Sequence, residues 1–254
     1  MIVTVANHKG GVGKTSLAAH LVYRAAEVGR VLAVDLDAQG NLTFTLAEPG
    51  DARGHATADL LFSADDPPQP MATPNPAIDL LPATAALTGV DRMNLSAAFQ
   101  ARGHLKELAK RYALVVIDSA PALGLRLTAA LASSQHVVVP LVPEAYAVEG
   151  VASLLSEATL IQEHLNPELR QADFVLNLVN PQARHHAQIA TRLEGLVSLV
   201  KPYLGRHIAV AEALAERRPV WQRGSNPNAA RHWRAVCDQL LRNYAVLETD
   251  AAPG

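Results

Sequence analysis

The sequence predicts an α/β fold: a doubly wound, mostly parallel sheet with helices on both faces. Two observations carry that expectation. Short apolar runs alternate with longer segments of helical period. The runs are also apolar throughout, as strands covered on both faces are, and do not alternate apolar with polar.

In chain order the strands are expected at Ile2–Ala6, Val31–Asp35, Ile78–Leu81, Leu114–Asp118, His136–Pro140 and Phe174–Val179. Helices are expected over Ser16–Val28, Leu95–Arg111, Leu123–Ser133, Val148–His164 and Ala229–Tyr244. In the first helix, Leu17, His20, Leu21 and Arg24 are spaced to give a face and a back. The one proline-rich stretch, residues 65–76, reads as a surface loop, because strand and helix signals resume on either side. Residues 1–247 are therefore expected to form a single domain and residues 248–254 a frayed tail.

Composition narrows the classes. About half of the 254 residues are apolar and 18% are charged, which suits a folded domain. The net charge of −2 means that any nucleic-acid contact must come from a local patch. A single cysteine, Cys237, permits neither an internal disulfide nor a cysteine cluster. The first residues lack the basic lead of a signal peptide, and no run reaches membrane-spanning length, so the expected compartment is the cytoplasm.

The first strand runs into His8-Lys9-Gly10-Gly11-Val12-Gly13-Lys14-Thr15-Ser16 and then a helix. Glycines let backbone amides converge on an anion, and the helix N-terminus adds partial positive charge. In such a loop Lys14 pairs with the β- and γ-phosphates and the Thr15 hydroxyl ligates Mg²⁺. The ordinary pattern places glycine where this chain has His8, and an additional lysine, Lys9, stands beside it.

K-G-G-V-G-K-T resembles the signature of the deviant Walker A ATPases: the ParA partition proteins, the MinD division-site proteins and the nitrogenase iron protein. The resemblance implies ATP and Mg²⁺ as cofactors and an ATP-dependent homodimer. It also implies that Lys9 reaches the partner's phosphates, where a cation meets developing charge. Without it, Lys9 would read as a solvated surface lysine.

Asp35-Leu36-Asp37-Ala38-Gln39-Gly40-Asn41 resembles the family's second box, with Ala38 where proline is usual. Two carboxylates two residues apart on a strand share a face. By the resemblance, Asp37 orients and polarises the attacking water and Asp35 supports the site. The alternative reading of Asp35 is a cap on the following turn. Leu114-Val115-Val116-Ile117-Asp118 looks like a Walker B strand that delivers Asp118 to Mg²⁺ through a water. Ser119-Ala120-Pro121 departs from the usual box after it and loses its first proline. Later matches are looser. Val139–Glu144 with Glu149-Gly150 resembles the segment after the next strand, and Arg206–Leu214 with Pro219-Val220 a loop and helix that close over the base. Asn177 matches the asparagine that reads adenine, and the alternative is a plain strand-end residue.

Lone Cys237 rules out the iron-protein branch. The last helix mixes Trp233, Val236, Leu240, Leu241 and Tyr244 with arginines, and an acidic stretch follows, so no membrane targeting is expected. Residues 181–244 hold ten Lys/Arg against four Asp/Glu, leaving the rest of the chain net acidic. That asymmetry points to a basic face of Arg184, Arg206, Arg217, Arg218, Arg223, Arg231 and Arg234 for nonspecific DNA. His185-His186 reads as surface or as part of that patch, and Trp221 and Trp233 as packing residues.

The ParA resemblance thus implies a cytoplasmic, nucleoid-associated switch that hydrolyses ATP, binds DNA as a dimer and answers to a stimulating partner protein. Its cargo would be a plasmid, a chromosome or a large assembly. Little chain precedes Ile2, so an N-terminal operator-binding extension is not expected. The alternatives are a MinD-like membrane-surface protein and an accessory ATPase without DNA binding.

Overall fold

A computed structural model describes residues 1–121, 124–144, 147–170 and 172–248. Eight strands make one sheet: β1 (Ile2–Val5), β2 (Val31–Asp35), β3 (Met71–Ala72), β4 (Ile78–Leu81), β5 (Leu114–Asp118), β6 (His136–Leu141), β7 (Asp173–Leu176) and β8 (Leu199–Val200). Their order across the sheet is β3-β4-β2-β5-β1-β6-β7-β8. All neighbours are parallel except β3 against β4.

Alternate residues of each central strand feed opposite layers, as the two-residue strand period requires. Val3, Val5, Val31, Ala33, Leu114 and Val116 face one layer, with α1 (Lys14–Ala25), α2 (Asn41–Leu46), α8 (Ile208–Ala215) and α9 (Pro227–Asn243). Ile2, Leu32, Val34, Val115 and Ile117 face the other, with α3 (Leu87–Val90), α4 (Leu95–Ala109) and α5 (Leu125–Ser133). That second layer continues past β6 with α6 (Ala147–His164) and α7 (Arg184–Glu194).

Several expectations shift. The proline-rich stretch contains β3, a two-residue antiparallel edge strand, the setting in which a sheet tolerates flanking prolines. β8 is too short to show a pattern in the sequence. β7 stops at Leu176, not Val179, because Leu178 turns into the left-handed region at φ 56°. The first helix has less of a back than its spacing implies: Leu17, Ala18, Ala19, His20, Leu21 and Val22 are all buried, and Arg24 is half-buried against Asp238. α1 lies between the sheet and α9, which accounts for this. α5 begins at Leu125; Leu123, where it was expected to start, lies outside the described residues, as does the tail from Asp250 with Thr249 before it.

Within that layer His20 is wholly buried. Its Nδ1 lies 2.7 Å from the Ser16 carbonyl, and the Val220 amide donates to its Nε2 at 3.1 Å. Only neutral imidazole can make both bonds. Burial pushes His20 down to about 4. An unfolded histidine takes up its proton near pH 6.5, so between about 6.5 and about 4 the unfolded chain gains a proton that the folded chain refuses. This residue's contribution to stability should fall by about 3 kcal/mol across that window, with no further loss below it. Denaturant unfolding of the wild type and His20→Phe checks this: their stability difference should shrink as the pH falls, and a difference independent of pH would refute the assignment.

Candidate functional site

Three strand ends meet at one level. Val5, the last residue of β1, pairs in register with Asp118, the last of β5, and Asp118 with Asp35, the last of β2. The loop from β1 to α1 therefore starts beside two carboxylates. Asn7 shapes its entry: Oδ1 accepts from the Lys9 amide at 2.8 Å, and Nδ2 donates to the Pro140 carbonyl at 2.8 Å. Gly11 and Gly13 take φ values of 75° and 95°, which a side chain would resist. From Gly10 to Ser16 no backbone amide donates to a protein acceptor among the described residues. A run of free amides, including those of Gly10, Gly11, Val12 and Gly13, at the N-terminus of a twelve-residue helix is an anion cradle.

Lys14 is buried at the mouth of this cradle and donates to the Lys9 carbonyl at 3.0 Å. Burial pushes its ammonium below the usual lysine range, while Asp118 and Asp37 pull it back up. The Thr15 hydroxyl donates to Asp118 Oδ2 at 2.6 Å. Asp118 Oδ1 and the Ser119 hydroxyl are buried without any protein partner. Burial, then the charge of Asp35, raise Asp118 far above the ordinary carboxylate range, with Thr15 and Lys14 opposing. A buried carboxylate with a free oxygen beside a threonine hydroxyl fits a hard divalent cation such as Mg²⁺. Among the described residues no group of three or more His, Cys, Asp or Glu could hold a metal without outside ligands. Phosphate oxygens and water are the ordinary complement of so sparse a set.

The two acids of the second box separate. Asp35 is fully buried and satisfied: Oδ1 accepts from the Asp37 amide at 3.1 Å, and Oδ2 from the Thr43 amide and hydroxyl, both at 2.8 Å. It anchors the turn and α2, so the capping alternative describes it. Asp37 lies beyond the strand end, half-buried, with Oδ1 accepting from the Gln39 amide at 3.0 Å.

Lys9 is mostly exposed, and its ammonium pairs with Glu144 of the same chain. That ammonium holds the Glu144 carboxyl below its usual range. Asn177 is 2% exposed and donates through Nδ2 to the Val12 carbonyl at 2.9 Å, which braces the phosphate loop from behind. One N–H of the Asn177 amide is thus committed to the loop, whereas Oδ1 has no protein partner. Beyond it, Leu178–Ala183, Gly205–His207 and the start of α9 line a 950 Å³ cleft that also holds His185, His186 and His232.

The arginines divide into two groups. Arg217 pairs with Glu48, Arg218 with Glu216, Arg223 with Glu212 and Glu216, and Arg234 with Glu27. Arg206 and Arg231 line the cleft and Arg184 adjoins its His185, and these three have no carboxylate in ion-pair range among the described residues. The expected face is therefore not one uniformly free basic surface: excess charge in residues 181–244 is partly cancelled by Glu27 and Glu48 from outside that segment.

Arg126 escaped the sequence reading. It is buried, chelates Asp91 through Nε and Nη2 at 3.0 and 2.7 Å, and donates Nη1 to the Leu36 carbonyl at 2.9 Å. It therefore fixes the backbone beside Asp37. Glu144 and Asn7 were also missed as site residues. No spacing rule links any of the three to the residues they hold.

Residues 1–171 match the AAA domain family. The chain is 31% identical to the chromosome partitioning protein ParA of Myxococcus xanthus over 227 residues, which covers 86% of this chain and 80% of that protein. It is 31% identical to the chromosome-partitioning ATPase Soj of Thermus thermophilus over 242 residues, 94% of each. Among solved structures, the cobyrinic acid a,c-diamide synthase of Mycobacterium smegmatis, bound to an ATP analogue and magnesium, superposes with a TM-score of 0.79 at 27% identity, over 96% of this chain and 95% of that one.

Gly13 makes the cradle testable. A Cβ there would lie 2.2 Å from Asn177 Nδ2 at a φ that side chains rarely adopt. Gly13→Ala should weaken binding of a fluorescent ATP analogue by about tenfold or more, equivalent to about 1.4 kcal/mol. Adding Asn177→Ala should recover only part of it, since the strained φ remains. An affinity unchanged in Gly13→Ala would refute the cradle.

Proposed function

The chain belongs to the AAA domain family and, within it, to the ParA-type partition ATPases, and we propose that it is an ATP-driven dimerisation switch that binds DNA without regard to sequence and so positions a cargo. Its activity is hydrolysis of ATP to ADP and phosphate, with ATP and Mg²⁺ as cofactors. The observation that carries the reading is the junction of the free-amide cradle with the Thr15–Asp118 pair at the ends of β1 and β5.

In this proposal the amides of Gly10 to Ser16 and the Lys14 ammonium hold the phosphates, and Thr15 and, through a water, Asp118 hold Mg²⁺. Bound Mg²⁺ neutralises charge on the β- and γ-phosphates. Asp37 orients the water that attacks in line with the leaving oxygen. Lys9 leaves Glu144 and crosses to the partner's phosphates. An exposed ion pair, screened by water, is a weak restraint on that exchange. Asn177 Oδ1 accepts from the base amine. Residues 1–247 act as one functional domain.

For DNA, the unpaired Arg184, Arg206 and Arg231 are the leading contacts, and Arg217, Arg218 and Arg223 join them where phosphate displaces their carboxylates. This gives a cytoplasmic, nucleoid-associated protein whose hydrolysis a partner protein stimulates. The membrane-surface alternative is disfavoured by α9, whose Trp233, Val236, Leu240 and Leu241, with Tyr244 just beyond, are buried in the core and not available to lipid. No described helix is long and apolar enough to cross a membrane.

Lys9→Ala should bind ATP yet fail to hydrolyse it or form a productive dimer; partner-stimulated turnover at the wild-type rate would end the trans-lysine role. Asp37→Ala should dimerise with ATP and persist, and a monomeric Asp37→Ala under saturating ATP would refute its hydrolytic assignment. Binding to nonspecific duplex DNA should require ATP. With Arg184, Arg206 and Arg231 of each protomer on phosphate, log affinity should fall with log salt at a slope of about −5 for the dimer. Arg206→Glu with Arg231→Glu should abolish that binding. No DNA binding by an ATP-bound dimer would leave the accessory-ATPase reading.

A further inference from the structure

Both tryptophans of the chain pack on one buried histidine. The His20 ring lies 5.4 Å from Trp221 in an edge arrangement and 4.5 Å from Trp233. Its two nitrogens connect separate parts of the protein. Because Nε2 accepts from the Val220 amide, the proton sits on Nδ1, which donates to the Ser16 carbonyl. Ser16 belongs to the first turn of α1, directly after Lys14 and Thr15. Val220 opens a 3₁₀ turn, Val220–Gln222, between Arg217-Arg218 and Arg223. Trp233 lies on α9, two residues from Arg231.

Fixed contacts continue down α1. Arg24 Nε donates to Asp238 of α9 at 2.5 Å, and Trp221 Nε1 and Arg234 donate to Glu27 at 3.1 and 2.7–3.0 Å. The helix that begins at the phosphate loop is thus held along one side to the arginine-bearing turn and α9. A shift of its first turn on closing over phosphate must be taken up at Val220 or break a hydrogen bond in a dry site, which is costly.

We propose that His20 is the positioning residue that couples the nucleotide state of the phosphate loop to the arginine-bearing segment 217–223. It does so through the Ser16 carbonyl–imidazole–Val220 amide bridge. Arg217, Arg218 and Arg223 are held by carboxylates here, so displacement of Val220 changes which of them are free for an anionic partner. The anionic partner rests on the DNA reading above; the coupling itself does not.

The test begins with the wild-type protein and Mg²⁺-ATP against Mg²⁺-ADP. Amide hydrogen exchange over residues 217–223 and tryptophan emission should both differ between the two nucleotides, and identical behaviour in both measurements overturns the proposal. His20→Phe keeps an aromatic ring between the tryptophans and removes both hydrogen bonds; His20→Gln keeps a donor and an acceptor. His20→Phe should retain ATP affinity within about threefold and lose the nucleotide-dependent changes, while His20→Gln recovers part of them. A folded His20→Phe with wild-type responses overturns the coupling. DNA retention is the separate arm: its ATP-over-ADP ratio should drop from at least about fivefold to none in His20→Phe. Wild-type responses at 217–223 without any DNA binding would defeat the DNA reading and leave the coupling standing.

Discussion

The site depends on a buried carboxylate that the protein alone does not satisfy. Asp118 ends β5 beside Val5 of β1 and Asp35 of β2, with one oxygen bonded to Thr15 and the other to nothing in the protein. Parallel register puts it there: three strands that finish at one level deliver their C-terminal residues to one crevice. Burial alone would drive this acid to its neutral form. A divalent cation beside it would restore the charged form. Asp35, a strand away, shows the contrast. It is as deeply buried, but three donors from Asp37 and Thr43 satisfy it, and it serves structure.

Those sequence features that survived translation into structure were local in the chain. A glycine-rich turn between an apolar run and a helix states its own geometry, so the cradle from Gly10 to Ser16 was legible at once. Central strands were legible because burial on both faces leaves an unbroken apolar run. What was not legible involves partners far apart in sequence. Arg126 meets Leu36 and Asp91, Lys9 meets Glu144, and Asn177 turns its amide to Val12 and not outward. β3 and β8, at two residues each, carry too little pattern to be read.

Charge shows the same limit in another form. Ten basic residues against four acidic in one segment describes the chain, not the surface. Folding brings Glu27 and Glu48 from the acidic remainder onto Arg234 and Arg217, and Glu212 and Glu216 close on Arg223 and Arg218. Of the arginines in the expected basic face, Arg206 and Arg231, which line the cleft, and Arg184 beside it form no ion pair among the described residues. In the DNA-binding function proposed above, a phosphate backbone would have to displace those carboxylates, and exposed pairs of this kind are weak restraints. The surface is therefore conditional on what approaches it and on how the loop that carries it sits.

That loop is where the two ends of the fold's mechanics meet. α1 is buried almost all round, so its N-terminus cannot adjust independently of its neighbours. Close-packed interiors transmit small displacements and do not absorb them, and the contact opposite the phosphate loop is the 3₁₀ turn at Val220 with α9 behind it. A nonpolar residue at position 20 would pack there as well but would leave the Val220 amide buried and unpaired. The choice of a neutral histidine, protonated only on Nδ1, satisfies that amide and ties it to the Ser16 carbonyl in the first turn of α1.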